Sequence, residues 1–154
     1  MQQTMRTVLE GAVAGAVATG AMSVPMLIAQ RQGSMGTQPP ERVVEEAESE
    51  TGRTLSEREE NLAASLAHLG FGVGSGALFA VVHRALRLPV PTVVQGTGFA
   101  VAVWALSYKG WIPRLGVLPP PEGDRSDRQR TMVAVHLVFG AVLGAVEHRL
   151  ADRR

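Results

Sequence analysis

Charge is missing from four long stretches of this chain, and that absence limits the fold more than any motif does. Residues 11–30, 61–82, 88–108 and 131–146 hold no Asp, Glu, Lys or Arg. The first three have 20, 22 and 21 residues. At about 1.5 Å per helical residue they are long enough to cross a hydrocarbon core of about 30 Å. The fourth has 16 and crosses only if it extends to Leu150, with Glu147, His148 and Arg149 at the interface. A soluble four-helix bundle would carry charge every three or four residues on its outer faces. These stretches are apolar or small all the way round, as buried or membrane-spanning helices are.

The expectation is an all-α integral membrane protein, a four-helix bundle forming one domain over residues 1–154. Its spans cover about 8–30, 61–83, 88–109 and 131–150. An acidic extramembrane connector covers 31–60 and an interfacial loop 110–130. The connector holds eight acidic residues and four arginines. Within it, PPERVVEEAESETG reads as a short amphipathic helix, started by two prolines and ended by Gly52. TLSE then reads as a capping box with Thr54 as N-cap and Glu57 at N3, starting a helix that runs unbroken into the second span. Pro25 should kink the end of the first span. Pro89 and Pro91 mark the start of the third. Trp104, Tyr108 and Trp111 gather at its far end, as a headgroup aromatic belt would.

HLGFGVGSGA, from His68, and HLVFGAVLGA, from His136, match at six of ten positions, 68 residues apart. Spacings of four and eight put His68, Gly72 and Gly76 on one helical face, and His136, Gly140 and Gly144 on another. This predicts two pseudo-repeated helical hairpins. Gly11, Gly15, Thr19 and Ser23 form a small-residue stripe on the first span, of the kind that lets membrane helices approach closely. The two His-Gly-Gly faces should meet each other or that stripe.

The histidines leave three readings open. They hydrogen-bond between helices and hold the hairpins in register, they titrate as a proton-handling pair near physiological pH, or they ligate a b-type haem axially. Glu10 and Glu147, each beside a helix end, either snorkel to water or assist proton handling. His83 and His148 read as surface residues. The chain has no cysteine, so it has no disulfide, thiol nucleophile or Cys-based metal site. GFGVGSG lacks the GK[ST] ending of a phosphate loop and follows no strand. No catalytic triad, paired catalytic carboxylates or HExxH zinc motif appears, so no enzyme and no resident metal are expected. A net charge of +1 argues against nucleic acid as partner. The expected partners are the lipid bilayer and, through the glycine stripes, another copy or another membrane protein.

GAVAGAVATGAMSVPM, PPE, AHLGFGVGSGALFA, FAVAVWALSYKGWIPRLGVLPPP and VAVHLVFGAVLGAV together resemble the YagU-like family of small bacterial and archaeal membrane proteins. The resemblance covers nearly the whole chain. It implies a multi-pass protein of the inner membrane and a link to acid or other stress, with His68, His136 and Trp104 as the residues that would carry a shared role. It implies no mechanism. Four spans put both termini on one side. Lys and Arg number six on that side and nine on the other, against a cytoplasmic placement of the termini. The short loops and the net acidity of the connector favour it, and cytoplasmic termini are the expectation adopted.

Overall fold

A computed structural model of the chain describes residues 2–33, 38–52 and 54–152. They form α1 (Gln2–Arg31), α2 (Pro39–Thr51), α3 (Glu57–Leu86), α4 (Thr92–Leu106), a π-helical turn (Ser107–Trp111), α5 (Ile112–Arg114), a 3₁₀ turn (Pro121–Gly123) and α6 (Ser126–Ala151). No strand occurs among the described residues. The connector segment 34–37, Arg53 and the last two residues of the basic tail lie outside them.

α1, α3 and α6 are each long and apolar enough to cross a membrane, and they mark a membrane protein. Their outward faces agree. Leu9, Val13, Val17, Val24, Leu27 and Ile28 of α1 and Leu62, Leu66, Leu69, Leu78 and Val81 of α3 are exposed, far more apolar surface than a soluble monomer leaves open. The marginal fourth stretch lies within the 26 residues of α6. The predicted third span is not among these three helices. Its helix begins at Thr92, not at residue 88, with Pro91 at the N-cap, because the residue before a proline is driven out of the helical region. With 15 residues, α4 alone is about 22 Å long; helical backbone then continues through the π turn and α5 to Arg114.

The connector helix forms where PPERVVEEAESET predicted it, with Gly52 at φ 65° as its left-handed C-cap. The capping box of α3 lies two residues later than expected. Ser56, not Thr54, is the N-cap, and Glu59 sits at N3. The sequence TLSERE offers two overlapping Ser/Thr-x-x-Glu frames. The second places Glu57, Glu59 and Glu60 in the first turn, where the helix dipole favours negative charge.

α3 packs on α1, α1 on α6, and α6 on α4, while α3 and α4 meet chiefly near their connecting turn. Two of these seams run backbone against backbone. A Cβ on Gly15 would lie 2.2 Å from the Gly72 carbonyl oxygen, and one on Gly76 2.2 Å from that of Gly11. Between α4 and α6, a Cβ on Gly140 would lie 2.5 Å from the Gly96 carbonyl oxygen, and one on Gly144 2.4 Å from that of Thr92. The α3 stripe therefore meets the α1 stripe, as expected. The α6 stripe instead meets Thr92, Gly96 and Ala100 of α4, a small-xxx-small row of its own. The α1–α6 seam is built from larger groups, with Ala14, Ala18, Met22 and Met26 against Met132, Val135, Phe139 and Leu143 in one core. A smaller cluster, Tyr108, Ile112, Val117 and Leu118 with Val43 of α2, closes the connector end. The proline-rich segment after α4 thus folds back against the bundle.

Candidate functional site

His68 and His136 line one chamber of about 250 Å³ at the connector end of the molecule, and Trp104 lines it with them. Its walls are almost wholly apolar. α1 contributes Met22 and Met26, α3 Phe71, α6 Met132 and Phe139, and the π turn Tyr108 and Trp111; Pro39, Pro40 and Val43 of α2 close it from above. α2 is held in that position by α1. The Gln30 amide donates to Glu41 at 3.1 Å and accepts from the Gln38 amide at 2.5 Å.

The polar groups in this chamber are few and differ in state. His136 Nδ1 lies 2.7 Å from the Met132 carbonyl oxygen, an i to i−4 contact. A carbonyl only accepts, so Nδ1 carries the hydrogen, and in the neutral imidazole Nε2 is then an acceptor. His68 lies within electrostatic reach of His136. Trp104 stacks on Tyr108 with ring centroids 5.6 Å apart, and its indole Nε1 is buried with no hydrogen-bond partner. Trp111 differs, donating to Ser107 Oγ at 3.2 Å. Of the expected aromatic belt, Trp111 is 39% exposed, whereas Tyr108 turns into the protein. Tyr108 is 3% exposed and donates to Asp124 at 2.6 Å, which pairs with Arg128 at 3.2 Å. The π turn, wider than an α turn, brings Ser107, Tyr108 and Trp111 to the chamber together.

A second polar cluster stands at the other end. Arg84 reaches Glu10 at 2.7 Å and Glu147 at 3.0 Å and donates to the Thr7 hydroxyl. Glu147 is 1% exposed, and one of its oxygens has no partner. The expectation that Glu10 and Glu147 snorkel to water therefore fails for Glu147. Arg84 of α3 draws it inward and ties α1, α3 and α6 together. His83 is also not a plain surface residue. It stacks on Phe79 and bonds Gln95 at 2.8 Å. His148 is exposed and pairs with Asp152. By helix register, Ala14, Ala18, Phe79 and Leu143 lie between the two clusters, and all belong to the buried apolar core.

Sequence reasoning missed Arg84, Gly96 and Tyr108 as structural centres. For Gly96 a signal was present, since Thr92, Gly96 and Ala100 repeat every four residues. Nothing local marks Arg84, whose partners are 63 and 74 residues away.

The described residues contain no group of three or more His, Asp or Glu placed to hold a metal ion. Haem does not fit the chamber. The lining includes no Arg or Lys to receive propionates, and its volume lies below the roughly 300 Å³ at which pockets for drug-sized ligands begin.

A family model, the family of unknown function DUF6789, matches residues 5–154. The chain belongs to this family. Neither the curated proteins nor the solved structures contain a match to it. Membership in a family of unknown function assigns no activity.

Proposed function

We propose that this chain is a non-catalytic, multi-pass protein of the inner membrane, with cytoplasmic termini, that holds a small neutral ligand in the chamber between its helices. In this reading it is a four-helix bundle of two pseudo-repeated hairpins, α1–α3 and α4–α6. The glycine seams support the repeat. Gly15 against Gly72 in one hairpin corresponds to Gly96 against Gly140 in the other, and the offset between Gly72 and Gly140 is that of the repeated string. The likeness to YagU-like proteins and an accessory role in acid or other stress belong to this proposal, as does pairing with a second copy or another membrane protein.

One observation carries the reading: His68, His136 and the unpartnered Trp104 indole converge on one apolar chamber. Burying an indole N–H without an acceptor costs about 1–3 kcal/mol, a cost that an acceptor on a bound molecule removes. Proton conduction through the histidines is the competing reading. The eleven residues from His136 to Glu147 span about 16 Å, and the side chains between the two clusters are apolar and packed, so the described side chains form no hydrogen-bonded path between them.

The test is thermal stability of the detergent-purified protein with benzyl alcohol and with toluene. A ligand at a hundred times its Kd stabilises by about 2.7 kcal/mol. We expect benzyl alcohol to raise Tm more than toluene, and Val103→Phe, which fills the chamber, to abolish the rise. Equal behaviour of parent and Val103→Phe with both compounds removes the chamber reading. A proton flux in proteoliposomes that disappears in His68→Ala restores conduction.

A further inference from the structure

We propose that the chamber receives the head of a membrane quinone or quinol, whose tail leaves between α3 and α4 into the acyl chains. This deepens the chamber reading above and rests on it.

Four observations lead there. The first is size. An apolar cavity of roughly 150 Å³ accommodates benzene, so about 250 Å³ accommodates one substituted six-membered ring. The second is wall chemistry. Phe71, Trp104, Tyr108, Trp111 and Phe139 present ring surfaces, and no charged side chain lines the space. A flat neutral ring suits such walls, whereas a phosphate or carboxylate headgroup would lose its water without gaining a fixed cation.

The third is the pattern of polar atoms. Trp104 lines the chamber, and its buried indole N–H has no partner within the protein; a quinone carbonyl would be its complement. His136, with Nδ1 committed to Met132, offers Nε2 as an acceptor, the complement of a quinol hydroxyl. His68, as neutral imidazole, carries one ring N–H and supplies a donor. The chamber therefore matches both the carbonyl and hydroxyl forms of the same ring.

The fourth is the route. α3 and α4 touch near their connecting turn, where Phe79 and Phe99 meet at 5.4 Å and His83 bonds Gln95. Toward the connector they are bridged by Phe71 and Trp111, with centroids 6.2 Å apart. These two rings are 48% and 39% exposed. Both helices present apolar side chains outward, so a ligand reaching this gap comes from lipid rather than from water.

Both tryptophans of the chain, Trp104 and Trp111, line the chamber, so quinone binding there quenches essentially all intrinsic indole emission. The experiment titrates decylubiquinone into the full chain in quinone-free lipid nanodiscs and follows tryptophan fluorescence. Expected is saturable quenching, weakened about tenfold in Trp104→Phe, read through Trp111, and abolished in Val103→Phe. The same ring without its decyl tail should bind at least tenfold more weakly, which separates a membrane quinone from a soluble one. Non-saturating quenching equal in parent and Val103→Phe overturns the proposal. Displacement of the quinone by 1-decanol at equal concentration also overturns it and assigns the chamber to alkyl chains. In both cases the benzyl alcohol result above still decides, separately, whether a ligand chamber exists.

Discussion

Adding one methyl group at Gly15 should separate α1 from α3. The new Cβ would stand 2.2 Å from the Gly72 carbonyl oxygen and 3.0 Å from the Gly76 Cα, both backbone atoms that no rotamer change can move, where ordinary contact begins at 3.4 Å. The helices must therefore part by about 1 Å. A gap of that size forfeits about half the dispersion energy of each contact across the seam, and Gly11, Gly15 and Thr19 share it with Gly72, Gly76 and Ala80. Overpacking in cores costs about 1–3 kcal/mol, and a seam with no flexible side chain to yield belongs at the upper end, about 3 kcal/mol. Gly20, on the same helix, has nothing within 4 Å of its added Cβ. Gly20→Ala should be neutral or stabilise by up to about 1 kcal/mol through helix propensity. Unfolding both variants in mixed micelles by titration with sodium dodecyl sulfate gives the comparison. If Gly15→Ala unfolds at the same detergent fraction as Gly20→Ala, the close backbone seam is wrong.

Three further outcomes follow from the ends of the helices and from the core between the polar clusters. Arg84→Met strands a carboxylate that is 1% exposed and should cost about 3 kcal/mol; adding Glu10→Gln and Glu147→Gln should restore most of the lost Tm. Ser56→Ala should cost about 1 kcal/mol while Thr54→Ala is neutral. The Ser56 hydroxyl and amide hold the Glu59 carboxyl below the usual carboxylate range, so this capping contribution is complete above pH about 4.3 and fades as pH falls through the folded value. The Tm difference between parent and Ser56→Ala should accordingly shrink in acid. Proteoliposomes of the parent protein should show no proton flux above empty vesicles in a pH-sensitive dye assay, because Phe79 and Leu143 stand in the path.

Much of the fold was legible because its determinants are local or periodic. Charge-free runs located α1, α3 and α6, and paired prolines with Gly52 bounded α2. Spacings of four placed Gly11, Gly15, Gly72 and Gly76 on faces that do meet. What escaped depends on partners distant in sequence. Two overlapping Ser/Thr-x-x-Glu frames read alike until the first-turn charges are weighed. Trp104 and Tyr108 look like interfacial aromatics until Asp124, 16 residues on, draws the Tyr108 hydroxyl inward. Glu147 reads as a solvated carboxylate until Arg84 arrives from another helix. The repeated string paired His68 with His136 in sequence, but did not indicate that a single space would contain both.

The three seams differ in stiffness. Where α1 meets α3, and where α4 meets α6, backbone lies on backbone, and nothing there can deform without breaking contact. Where α1 meets α6, Met22, Met26 and Met132 stand among Val135, Phe139 and Leu143, and the three methionines are unbranched side chains that repack at little cost. The molecule is mechanically two stiff plates joined by a soft gasket. A displacement between the two helix pairs would be taken up at the α1–α6 seam, where the methionines sit, before either glycine seam parts.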